Sequence, residues 1–185
     1  MRIYLIRHAE RGHGELQDTL TEKGYEQSRK LAEFLRNETI DKVFCSTTNR
    51  TRETSKEFLN SFSGEVVFTY LLIEQDLGVF NGKTASEWRD AVAQSGLNEK
   101  EFRPERGENR KDHLNRVDKF IEIIKQDNSE NIAVFSHSGF ISDFCWKILK
   151  KDINEKLKYR ISPACIHILE FDKDFSLTSE KINFC

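Results

Sequence analysis

The sequence predicts an α/β fold: a three-layer α/β/α sandwich around a mostly parallel central sheet. Two observations carry this expectation. Apolar, β-prone runs alternate with amphipathic helical runs along most of the chain, as in strands joined by crossover helices. The run at residues 131–135 is continuously apolar after its first residue, as suits a strand covered on both faces.

The elements follow in order. Residues 1–6 form the first strand, MRIYLI. Residues 22–37 set Leu31, Phe34 and Leu35 at helical spacing behind Thr21, a natural N-cap. Residues 42–45 are a short strand, and 49–60 a helix with Thr54, Phe58 and Leu59 on one side. Residues 66–70 make a third strand. Residues 73–107 are irregular and glycine-containing, with one helix around 85–94. Residues 108–126 repeat Leu114, Val117, Phe120, Ile121 and Ile124 on one helical face. After the strand at 131–135, residues 139–150 form a helix with Phe140, Ile141, Phe144, Cys145 and Ile148 inward. Residues 151–159 read as a short polar helix, and 164–171 and 176–183 as two closing strands. With no repeat or linker, residues 1–185 read as a single domain carrying a cap-like insertion around 75–107.

Composition narrows the function. A formal net charge of -2 supplies no global basic field for nucleic acid or an anionic membrane. No apolar run reaches the roughly 18 residues of a membrane-spanning helix. The stretch after Arg2 is too short for a signal-peptide core. Cys45, Cys145, Cys165 and Cys185 are widely separated, without paired metal-ligand spacing. They read as reduced thiols of a cytoplasmic protein, mostly small buried apolar residues.

In open α/β sheets, ligands bind beyond the carboxyl ends of the strands. Arg7 and His8 follow the first strand here, residues 46–50 the second, 72–76 the third, and Ser136, His137 and Ser138 the fourth. Two arginines and two histidines gathered at one sheet edge repel one another and are costly to desolvate unless an anion completes them. Arginine suits phosphate through its planar fork. In AVFSHSGFI a strand runs straight into a helix, whose first N–H groups form a further anion site, and Gly139 permits close backbone approach. His8, His13 and His137 would also supply three metal nitrogens, but Arg7 and Arg50 stand where a metal site wants carboxylates. A neutral imidazole can attack phosphorus, and His8, beside Arg7, is the better candidate. Glu74 is the candidate acid for the leaving group, with Asp76 the alternative in that loop. His113 and His167 read as structural histidines.

Six stretches in this order resemble the motifs of the histidine phosphatase superfamily, which includes the cofactor-dependent phosphoglycerate mutases. They are LIRHAE, LTEKGYEQSRKLAEFL, CSTTNRTRET, LIEQDLGVFNG, RGENRKDHLNRV (Asn109 where serine is usual) and FSHSG. The resemblance covers nearly the whole chain. It implies a phosphoglycerate mutase-like fold and a route through phosphohistidine. Arg7, Arg50, His137 and helix N–H groups, including that of Ser138, would hold the phosphate, His8 would attack and Glu74 would protonate the leaving oxygen. No cofactor or metal is implied. Ala9 replaces the usual glycine, and Arg11 and Gly14 stand where relatives often keep Thr or Ser and Asn. Arg11 and His13 therefore either supply replacement substrate-binding donors or face solvent. The segment near Pro163 also departs from the family pattern.

The resemblance leaves three activities. The short span between Glu74 and Glu108 favours a phosphatase acting on small phosphate monoesters in the cytoplasm. A mutase-type phosphotransferase needs a lid. A non-catalytic phosphate-binding module would not need all five positions filled. The short phosphohistidine phosphatases of the superfamily also begin Arg-His-Ala-Glu but lack the acid, so Glu74 points to an ester substrate. Arg103, Arg106, Arg110 and Lys111 near the insertion either meet a second anionic group or form a solvated helix end.

Overall fold

The computed structural model describes residues 1–13, 18–149 and 161–184. Six strands form one sheet: β1 (Arg2–Arg7), β2 (Lys42–Ser46), β3 (Glu65–Thr69), β4 (Asn131–Ser136), β5 (Ile166–Phe171) and β6 (Leu177–Phe184). Their order is β3-β2-β4-β1-β5-β6. The first four in that order run parallel, and β5 and β6 close the sheet antiparallel. The mostly parallel sandwich predicted from the alternation is present, and the two closing strands are its antiparallel edge.

The period-two alternation of β1 explains the layers. Ile3 and Leu5 pack with α4 (Arg110–Lys125) and α5 (Ser138–Ile148) on one face. Tyr4 and Ile6 pack with α1 (Glu22–Arg36) and α2 (Asn49–Leu59) on the other. Each fully buried Leu, Ile or Phe in these layers contributes about 1.5–3 kcal/mol. The helix α3 (Ala85–Ser95) lies in the 73–107 insertion and buries none of its residues, ending on Gly96 in the left-handed conformation (φ 70°).

The helix starts obey local chemistry. Thr21 caps α1 by accepting from Gly24 N at 3.0 Å. A Cβ at Gly24 would collide with the Glu10 carbonyl, so this glycine lets α1 lie against the segment leaving β1. Asn109 and Asp112 form a reciprocal capping box at the start of α4, so asparagine does the work of the serine usual in the resembling family.

The predicted helix at 151–159 and Cys185 lie outside the described residues. Cys45 and Cys145 are buried thiols outside any disulfide, as expected. Cys165 is disulfide-bonded, which corrects its reading as a reduced thiol. Among the described residues, no helix is long and apolar enough to cross a membrane.

His167, on β5, is 2% exposed, and neither ring nitrogen has a hydrogen-bond partner. Burial lowers its pKa to about 4. The unfolded chain therefore binds the extra proton first, and stability falls as pH drops from about 6.5 towards 4. His167→Leu should lose less stability than the parent between pH 7 and 4.5, by about 2–3 kcal/mol in denaturant unfolding. Equal losses for the two proteins would refute the assignment.

Candidate active site

The parallel register sets Arg7 opposite Ser136, so the next residues, His8 and His137, leave neighbouring strands side by side. Their ring centroids are 5.2 Å apart. His8 is pinned at its backbone: its N–H donates to Ser136 O at 2.9 Å, and its carbonyl accepts from Ala164 N. Its Nδ1 lies 2.8 Å from Ala9 O. A carbonyl can only accept, so Nδ1 carries the proton and Nε2 keeps the lone pair. Burial lowers the His8 pKa to about 3, with Arg50, Arg7 and Arg11 adding to the effect and the Ala9 bond opposing it.

Arg50, in the first turn of α2, donates from Nη2 to His137 Nδ1 at 3.1 Å. That tautomer leaves the Nε2–H of His137 to meet Ser46 Oγ at 3.0 Å and Thr48 Oγ1 at 3.3 Å. Burial, then the Arg50 charge, keeps His137 neutral by lowering its pKa well below the ordinary value. Arg50 Nη1 donates to Asp18 Oδ1 at 2.7 Å, and Asp18 also accepts from Asn49 N at the helix start. Arg50 Nε is buried with no hydrogen-bond partner. Asp18, Ser46 and Thr48 are therefore parts of the site that sequence reasoning missed. Only their closeness to the α1 cap and the second strand end signalled them.

Glu74 is gripped by the start of α5. Its Oε2 accepts from Gly139 N at 3.0 Å and from Ser138 Oγ at 3.4 Å. This changes one expectation: one first-turn N–H of α5, that of Gly139, meets the Glu74 carboxylate. Gly139 does permit a close approach, since a Cβ there would collide with Glu74 Oε1. Asp76 is committed to its own turn, accepting from Gly78 N at 2.8 Å and Asn81 Nδ2 at 2.7 Å.

Arg7 reaches the carbonyl of Ile161 through Nη1. Arg11 and His13 line a cavity of about 640 Å³ together with Asp18, Arg50, Glu74, Phe80 and Lys83. A second cavity of about 500 Å³ shares Phe80 and Lys83 and reaches Trp88. Arg103 pairs with Asp112 and Arg110 with Asp143, so neither waits for a second anion as an uncommitted cation. Among the described residues, no three His, Cys, Asp or Glu side chains are grouped to hold a metal. What the arrangement offers is a neutral imidazole nitrogen, arginine donors and a carboxyl group at the end of one sheet.

The whole chain is similar to known proteins. Residues 3–183 match the model of the histidine phosphatase superfamily (branch 1). An adenosylcobalamin/α-ribazole phosphatase of Salmonella typhimurium is 25% identical, over 95% of this chain and 93% of its own. Phosphoserine phosphatase 1 of Hydrogenobacter thermophilus is 28% identical, over 94% and 88%. The α-ribazole phosphatase structure from Shigella flexneri superposes with a TM-score of 0.82 at 23% identity, covering 100% of this chain and 98% of that one, a likeness of fold.

Two outcomes follow from this geometry. In ¹⁵N NMR at pH 5, His8 should still be neutral with its proton on Nδ1, because its pKa of about 3 lies below that pH; an imidazolium signal would contradict the assignment. Gly139→Ala should fold normally, because the obstructing atom is a side-chain end, yet displace the Glu74 carboxyl. Its kcat on an alkyl phosphate should drop about tenfold or more, and unchanged turnover would show that the contact is unimportant.

Proposed function

The chain belongs to the histidine phosphatase superfamily (branch 1), and on that premise we propose a metal-independent phosphomonoesterase that hydrolyses small phosphate monoesters through a phosphohistidine at His8. The observation that carries this reading is the His8 tautomer, with Nδ1–H fixed on Ala9 O and the Nε2 lone pair available. Arg7, Arg50 and His137 form the phosphate pocket, and the buried Arg50 Nε is a donor suited to a phosphate oxygen.

In the first step Nε2 of His8 attacks phosphorus in line, an N–P bond forms and the ester P–O bond breaks. The guanidinium groups meet the charge spread over the three equatorial oxygens. Glu74 passes a proton to the leaving oxygen as the P–O bond breaks. Water then attacks the phosphohistidine, Glu74 takes a proton from it, and phosphate leaves with His8 neutral again. His137, engaged at both nitrogens, serves this scheme chiefly by holding Arg50. Residues 75–107 act as a cap whose Phe80 and Lys83 face the leaving group.

Relatives named as phosphatases over most of the chain support hydrolysis over phosphoryl transfer between substrates. Their names span α-ribazole and phosphoserine, so the phosphate monoester is the shared element proposed here. Purified protein should hydrolyse p-nitrophenyl phosphate in the presence of EDTA. His8→Ala should lose about a thousandfold or more of that activity, and acid quenching of the parent should trap an acid-labile phosphoprotein. Activity retained by His8→Ala would overturn the mechanism, and activity abolished by EDTA would overturn metal independence.

A further inference from the structure

Arg116 is a buried cation outside the phosphate pocket, 5% exposed on α4. A buried guanidinium is tolerated only when its donors are satisfied. Here Nε and Nη2 grip the two oxygens of Glu108 at 2.8 and 2.7 Å. Nη2 also meets His113 Nδ1 at 2.8 Å. The remaining contacts all go to one short segment: Nη1 to Leu71 O at 2.8 Å and Ile73 O at 2.7 Å, and Nη2 to Glu74 O at 3.1 Å. Ser136 Oγ binds the intervening Leu72 O at 2.7 Å. Four successive carbonyls, ending on Glu74, are thus tied down. Glu108 anchors the far side of Glu74, accepting from Asp76 N at 3.1 Å and donating its own N–H to Asp76 O at 2.7 Å.

We propose that Arg116 is the positioning residue for Glu74, locking the backbone beneath the acid so that its carboxyl meets the leaving oxygen. The inference rests on Glu74 being the acid in the function proposed above. A general acid works only within hydrogen-bond reach of its target, and a displacement of about 1 Å can cost a hundredfold. The segment 71–74 leaves β3 through a single 3-10 turn, so no regular strand or helix holds it in place. The Glu74 side chain is held from above by Gly139 and its backbone from below by Arg116. Lysine, a single point donor, cannot span three carbonyls and a carboxylate at once.

The test reads the dependence on leaving group. Esters with poor leaving groups need the acid, and 2,4-dinitrophenyl phosphate does not. Arg116→Gln should lower kcat/KM, which reads phosphorylation of His8 and not the later attack of water, about tenfold or more for an alkyl phosphate, while kcat/KM for 2,4-dinitrophenyl phosphate stays close to the parent value. Glu74→Gln is the reference and should show the same selectivity more strongly. The double variant should be no slower on the alkyl ester than Glu74→Gln alone, a non-additivity that a merely structural role would not produce. If Glu74→Gln loses both esters equally, the acid assignment itself falls. If Glu74→Gln is selective but Arg116→Gln is not, the positioning role falls. Should Arg116→Gln fail to fold by circular dichroism, Arg116→Lys reads the same selectivity, and a parental leaving-group dependence in that variant would overturn the proposal.

Discussion

The parallel pairing of β1 with β4, with Arg7 opposite Ser136, is the constraint on which the rest depends. It delivers two imidazoles from adjacent strand ends into one buried volume. Were both charged there, they would repel each other and the arginines beside them. Burial instead holds both neutral, and backbone and arginine contacts choose which nitrogen of each keeps its proton. The sheet therefore presents an imidazole nitrogen with its lone pair available and no neighbouring base required to deprotonate it. The two helix layers cover the faces of the sheet and leave its strand ends as the accessible edge.

The carboxylates divide the helix termini between them. Asp18 sits at the start of α2 and on Arg50, and Glu74 sits at the start of α5. Each takes up positive potential at a helix start that suits any anion. The guanidinium of Arg50 sits among these acidic neighbours, paired with Asp18 through Nη1 while its Nε is buried without a partner. That balance fits an overall charge of only -2.

Much of this was legible in the sequence because chemistry collects at strand ends. The apolar runs located β1, β2 and β4, and the residues just after them were His8, Arg50 and His137. Glu74 was readable for the same reason. What could not be read were choices made between distant segments. Asp18 meets Arg50 across 32 positions. The N–H of Gly139 could have served any anion, and only the folded chain shows that it serves Glu74. On α4 the apolar spacing pointed to Leu114 as core, yet Leu114 is only partly buried, while His113 and Arg116 beside it are buried. Polar residues that satisfy one another inside a helix packing face do not announce themselves by hydropathy. Cys165 was misread for a related reason, since pairing of cysteines is a property of three-dimensional proximity.

The contact between Gly139 and Glu74 also bears on how such a protein can diverge. A side chain at 139 and a full-length acid at 74 compete for the same space. Position 139 can be enlarged only if the side chain at 74 is shortened or moved. The two positions, 65 residues apart, are thus coupled by shape, and a change at one sets what the other can hold.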